Sequence, residues 1–310
     1  MLDERFTQPN GFTWGYFQDA ASGARIRYGF IAPQNARLTI LLTGGFTEPA
    51  EKYFEVIRER VQQGAAVWIM DWRGQGGSDR YLAADPMKSH NMGYDGCIET
   101  LHQFATGIVK KTGPLILMAH SMGGHIALRY LATHSAVFDA AILTDPMIRF
   151  RTRGVPDWFA RGIAWAAEMF GFDARYVPGG GAWSQTRQMF DTNNKTSDPV
   201  RYRVQPELFI GNPVLQMGDP TYGWVRAAYR SCDVLNRVET LKSINTPILM
   251  QISGENGIVD RGAILRAGAF LPDCRRVDIT DAKHEIWMER DELRARWVAE
   301  VDAFLRERTA

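Results

Sequence analysis

The stretch PLILMAHSMGGHIALRYLATH, residues 114–134, decides the fold. Its first seven residues form an apolar run of buried-strand character, and HIALRYLATH continues as a helix, so the chain passes from strand to helix at Ser121. A sharp turn there forces the central residue into a strained backbone conformation and lifts its hydroxyl clear of the sheet. The positions two before and two after must then be small, and Ala119 and Gly123 meet that need. The same turn aims the first backbone N–H groups of the helix at the space above Ser121. Met122 N–H is the natural donor to an oxyanion formed there.

Outward from this unit the alternation recurs. Apolar runs RLTILLT (37–43), AAVWIMD (65–71) and AAILTD (140–145) join PLILMAH as buried strands, with helical segments between them and a hairpin over residues 11–32 before them. Strands alternating with helices imply an α/β fold with a mostly parallel central sheet flanked by helices. After residue 146 the order breaks. Residues 147–238 carry Trp158, Trp165, Trp183 and Trp224 with several Gly and Pro, and read as a mostly helical cap. Strand and helix resume with PILMQIS (247–253), a helix over 262–270, RRVDIT (275–280) and an amphipathic helix over about 285–308. The expected organisation is a core domain of residues 1–146 and 239–310 with a cap inserted over 147–238.

With 310 residues and 45% hydrophobic composition the chain can fill the core of one large α/β domain. The balance of 36 Lys and Arg against 35 Asp and Glu leaves a net charge of +1, so no overall field favours nucleic acid. Cys97, Cys232 and Cys274 lie far apart with no CxxC pair, which argues against a disulfide framework and a structural zinc site; free thiols are expected. The start MLDERFTQPNGF lacks the basic and apolar regions of a signal peptide, and no segment reaches the ~18 uninterrupted apolar residues of a membrane span. A cytoplasmic location is the expectation, with peripheral contact at the inner face of the membrane left open.

A serine hydroxyl is a weak nucleophile at neutral pH and needs a base, for which there are six histidines. His125 and His134 fall on the helix after Ser121, His102 on the helical segment before its strand, and His90 in a polar loop. His120 should point away from its neighbour Ser121 and is a candidate for the edge of the substrate site. His284 follows RRVDIT through the short loop DAK, at the carboxyl end of a late strand and on the sheet edge that carries Ser121. It is the expected base. The third member must be a buried carboxylate that orients the imidazole. Asp260, Glu255 and Asp145 compete for that place. Asp260 lies in the loop ENGIVDRG after PILMQIS and keeps the order Ser, Asp, His that suits this architecture, so it is the expected acid. Glu255 reads as a solvated loop carboxylate and Asp145 as a helix or loop cap. Such a set needs no metal and no organic cofactor.

On these residues the chain resembles the α/β-hydrolases, and within them the bacterial lysophospholipase and monoacylglycerol lipase group. Four stretches carry the resemblance: LLTGGFTEPAEKY (41–53), MDWRGQGGSDR (70–80), LMAHSMGGHIALRYL (117–131) and GENGIVDRGA (254–263) with the later KHEIWMERDE (283–292). The resemblance implies a serine carboxylic-ester hydrolase acting through an acyl-enzyme on fatty-acid esters of glycerol or of a glycerophosphate headgroup. It also places a second oxyanion donor at Phe46 N–H. Two positions depart from the pattern: Gly44, where monoacylglycerol lipases usually have histidine, and Ala119, where glycine is usual. Residues 155–172 carry apolar side chains at helical spacing, so Trp158 and Trp165, with Trp224 further on, are candidates for an acyl-binding or lipid-facing surface; packing of the cap onto the core is the competing reading. The same scaffold hosts short-chain esterases, lactonases, peptidases, C–C hydrolases and non-catalytic ligand-binding proteins.

Overall fold

The computed structural model describes residues 2–134, 136–152 and 154–309. Its strands are β1 (Thr13–Gln18), β2 (Arg25–Ile31), β3 (Leu38–Thr43), β4 (Ala65–Met70), β5 (Leu115–His120), β6 (Ala140–Thr144), β7 (Ile248–Ser253) and β8 (Cys274–Ile279). They form one sheet in the order β1-β2-β4-β3-β5-β6-β7-β8. The hairpin β1–β2 and the pair β2–β4 are antiparallel, and every other neighbouring pair is parallel. The helices are α1 (Phe54–Gln62), α2 (Tyr94–Gln103), α3 (Met122–Thr133), α4 (Asp157–Met169), α5 (Pro199–Tyr202), α6 (Val204–Gly211), α7 (Tyr222–Leu235), α8 (Val238–Lys242), α9 (Arg261–Phe270) and α10 (Asp291–Thr309). This is the mostly parallel α/β sheet that the sequence pattern implies, in the α/β-hydrolase arrangement that the resemblance implies.

Strands β4, β5, β6 and β7 are buried at every position, as central parallel strands covered on both faces must be. Alternate residues of β5 then serve opposite cores. Leu115, Leu117 and Ala119 pack with α2, α3 and α9, while Ile116 and Met118 pack with α1 and α10. The last helix starts later than its apolar pattern suggests. Ile286, Trp287 and Met288 form a short 3-10 turn buried against the α1 side, and the helix proper begins at Asp291.

Between β6 and β7 the chain leaves the sheet and builds α4 to α8, with little regular structure from residue 170 to 198. Arg201 pins this excursion to the core. Its buried guanidinium donates to Glu55 at 2.9 and 2.8 Å, to Asp198 at 2.9 Å, to Asp291 at 2.7 Å and to the Glu289 carbonyl at 2.8 Å. With so many partners the buried charge is compensated. Among the described residues no helix is long and apolar enough to cross a membrane. The three cysteines are unpaired.

Candidate active site

At the end of β5 the backbone of Ser121 takes φ 51° and ψ −113°, a strained conformation for a residue with a side chain. The turn is held by Ser121 N–H donating to Thr144 O at 3.1 Å, and by Ser121 O accepting from Met147 N at 2.9 Å and His125 N at 3.0 Å. Gly123 has no space for a side chain, because a Cβ there would lie 2.7 Å from both the Thr43 and Gly44 carbonyl oxygens. This is the physical reason for the small residue after the nucleophile. Above the turn, Met122 N–H and Phe46 N–H have no acceptor among the described residues. These two unpaired amides, at the head of α3 and on the loop after β3, are the pair expected from the sequence as oxyanion donors.

The loop of Phe46 is fixed from behind. Trp72 Nε1 donates to Gly44 O at 2.9 Å, Gln75 Nε2 to Gly45 O at 2.8 Å, and Thr47 N–H to Gln75 Oε1 at 3.0 Å. The stretch MDWRGQGGSDR therefore serves as scaffold for the oxyanion loop. Beneath it, Glu48 Oε2 accepts from Gly45 N at 2.6 Å, Tyr53 OH at 2.5 Å and His120 Nδ1 at 3.0 Å, while Oε1 accepts from Lys52 Nζ at 2.8 Å. Burial opposes the Glu48 charge, yet Lys52 and His120 outweigh it and hold the carboxyl well below its ordinary range.

His120 lines the cleft but is built into this network rather than left free at its edge. Its Nε2 donates to the His284 carbonyl at 3.2 Å. Both ring nitrogens thus face acceptors, an arrangement that favours the doubly protonated ring. Burial works against that charge, and the Glu48 carboxylate overcomes it, so the His120 pKa lies above the ordinary histidine value.

His284 Nε2 lies 2.8 Å from Ser121 Oγ. Burial, and then the His120 cation, hold its pKa well below the ordinary value, so the ring is neutral at neutral pH. The structure corrects the expected acid. Asp260 does not reach His284: its carboxylate accepts from Ala263 N at 3.1 Å as the N-cap of α9. Glu255 is exposed in the same loop. The loop after β7 does reach the imidazole, but with Asn256, whose Nδ2 lies 3.0 Å from His284 Nδ1. Asn256 Oδ1 accepts from Ile258 N at 3.0 Å and Val259 N at 2.9 Å, which fixes the amide with its NH₂ toward the histidine. The carboxylate facing His284 belongs to Asp145, at the end of β6. Asp145 Oδ1 accepts from Ser253 N at 3.0 Å, while Oδ2 has no hydrogen-bond partner and lies 3.9 Å from His284 Nδ1. Burial pushes the Asp145 pKa up to about 7. Its φ of 43° marks a second strained residue beside the site.

Ser121 and His284 open into a cleft of about 460 Å³ lined by Phe46, Trp183, Met189, Lys195, Phe209 and Met217 among others. A larger hollow of about 640 Å³ lies at the opposite end of the strands, around Arg37, Arg60 and Asp302, far from the nucleophile. Trp158 and Trp165 do not line the cleft. They are 73% and 51% exposed on α4, because that helix turns only one side, including Ala164 and Ala167, inward. Trp224 is buried behind the oxyanion loop, its ring 4.5 Å from that of Phe46.

An imidazole 2.8 Å from a serine hydroxyl, with two free amides nearby, is an arrangement that suits the serine hydrolases of α/β fold. The chain belongs to the serine aminopeptidase S33 family, whose sequence profile matches residues 34–291. It is 32% identical over 284 residues to lysophospholipase L2 of Escherichia coli (strain K12), covering 87% of this chain and 81% of that protein. It is 29% identical over 283 residues to a probable lysophospholipase L2 of Haemophilus influenzae, with 89% and 86% covered. A soluble variant of monoglyceride lipase from Saccharomyces cerevisiae, solved with a substrate analog, shares the fold at a TM-score of 0.74 and 18% identity, over 98% of this chain and 97% of that one.

Proposed function

We propose that this protein hydrolyses the carboxylic ester of lysophospholipids or monoacylglycerols through an acyl-enzyme on Ser121. The observation that carries the reading is the 2.8 Å contact of Ser121 Oγ with His284 Nε2 beneath the free amides of Phe46 and Met122. The lysophospholipase L2 relatives, similar over most of the chain, support the substrate class. Ser121 attacks the ester carbonyl as His284 takes its proton, and the two amides hold the oxyanion. His284 then protonates the departing alcohol and activates water to release the fatty acid.

For His284 to act as base its proton must sit on Nδ1, where Asn256 Nδ2 now points. Asp145 Oδ2, unpaired and 3.9 Å away, is the acceptor that this tautomer needs, and a shift of about 1 Å would complete the bond to a charge-assisted length. Asp145 thus replaces Asp260 as the acid of the set. The inserted segment over Ser121 serves as a cap. The exposed Trp158, Phe159, Trp165, Met169 and Phe170 give it an apolar outer face suited to resting on a lipid surface.

The test is release of fatty acid from a matched panel: p-nitrophenyl esters of rising chain length, a monoacylglycerol and a lysophospholipid. Hydrolysis of the long-chain lipids, abolished in Ser121→Ala, is the expected result. Hydrolysis confined to short esters would remove the substrate assignment.

A further inference from the structure

We propose that Lys195 forms an anion subsite for the phosphate of the departing glycerophosphate headgroup, an assignment that rests on the ester-hydrolase reading of Ser121. Two long cationic side chains line the cleft, Arg187 and Lys195. Arg187 is spent: its guanidinium pairs with Asp219 at 2.6 Å and donates to the Ala182 and Gly179 carbonyls. Lys195 is not. Among the described residues its ammonium has one hydrogen bond, 3.3 Å to Gln205 Oε1, an oxygen that already accepts from Lys52 Nζ at 3.1 Å. No described carboxylate lies within 4.0 Å of it. The Glu285 carboxylate, which also lines the cleft, is taken at 2.7 Å by Lys52. An ammonium carries three donors, so Lys195 faces the cleft with hydrogen-bonding capacity and positive charge to spare.

Its position is set by the backbone. The Lys195 carbonyl accepts from Glu285 N at 2.7 Å and the Asn194 carbonyl from His284 N at 3.4 Å, so Lys195 lies directly across from the catalytic histidine and its neighbour. In acyl transfer the histidine hands its proton to the leaving oxygen, and whatever is attached to that oxygen extends toward the histidine side of the site. For a monoacylglycerol that group is neutral glycerol. For a lysophospholipid it is glycerol bearing a phosphate, which would give the ammonium the anion it lacks. One charge-assisted hydrogen bond of this kind corresponds to about a ten- to hundredfold effect on binding.

Two readouts test the subsite. In the first, glycerol 3-phosphate, glycerol and inorganic phosphate compete with p-nitrophenyl butyrate. In the second, kcat/KM is compared between a lysophosphatidylglycerol and the monoacylglycerol of the same chain. Competitive inhibition by glycerol 3-phosphate, weakened about ten- to hundredfold in Lys195→Met and kept within a few-fold in Lys195→Arg, is the expected result. The lysophospholipid-to-monoacylglycerol ratio should fall by a similar factor in Lys195→Met. Lys195→Gln replaces the Met variant if that one melts early. Equal inhibition of the wild type and the neutral variants, or an unchanged ratio, would overturn the subsite. Inorganic phosphate binding as tightly as glycerol 3-phosphate would overturn the headgroup assignment. A wild type that cleaves the p-nitrophenyl ester but neither lipid would refute the substrate reading, and the inhibition constants would still judge Lys195.

Discussion

The two flanks of Ser121 are built to different standards. On the oxyanion side the loop from Gly44 to Glu48 is held at four backbone groups: Gly44 O by Trp72, Gly45 O and Thr47 N by Gln75, Gly45 N by Glu48. On the acid side Asp145 has one oxygen held by Ser253 N and the other without a partner, and Asn256 occupies the His284 nitrogen that the acid should serve. Preorganised donors have their effect when charge appears on the substrate, so looseness there would forfeit rate directly. The acid acts at one remove, through the tautomer of the histidine, and its side needs one proton shift and one small closure before reaction.

Substitutions can break this contrast. Asp145→Asn should lower kcat/KM by about ten-thousand-fold, the usual cost of holding a catalytic histidine in the wrong tautomer. Adding Asn256→Asp to that variant should recover a large part, since a carboxylate would then stand at the 3.0 Å position beside Nδ1. No recovery would mean that Asn256 and Asp145 do not share a role. On the other flank, Gly123→Ala pushes a methyl group into the carbonyls of Thr43 and Gly44 and displaces the hole itself, for a loss of about a hundredfold in kcat with less change in KM. Smallest is Asp260→Ala. It removes the N-cap of α9 and should cost about 1 kcal/mol of stability, seen as a lower melting temperature, with kcat/KM changed little.

The contrast also explains what the sequence could disclose. β5, Ser121 and α3 were legible because a strained turn under close backbone packing demands small residues at fixed offsets, and Gly123 meets that demand visibly. The position of His284 beside Ser121 was legible from its place after β8. The acid was not, because an aspartate that caps a helix and one that orients a histidine look alike in a string, and Asp260 followed the right strand. Asp145 carried a weak signal, a carboxylate directly after the fully buried β6 beside the strand of Ser121; its positive φ and unpaired oxygen exist only in three dimensions. The Glu48–His120 pair spans 72 residues and had no local mark. Trp158 and Trp165 show the limit of periodicity. Helical spacing identified an apolar face on α4, but the direction of that face depends on how the helix is docked.

The most direct measurement is the pH dependence of kcat/KM for the wild type and for the residual activity of Asp145→Asn. Burial raises Asp145 to about 7, while burial and His120 hold His284 well below the ordinary histidine value. The working form needs the Asp145 carboxylate, so activity should be present above neutral pH and lost as pH falls through an apparent pKa of about 7 that belongs to the pair. In Asp145→Asn the Asp145 step is gone, and the limb set by His284 should move below the ordinary histidine value of 6.5. A limb at the same pH in both proteins would contradict the assignment of Asp145 to the catalytic set.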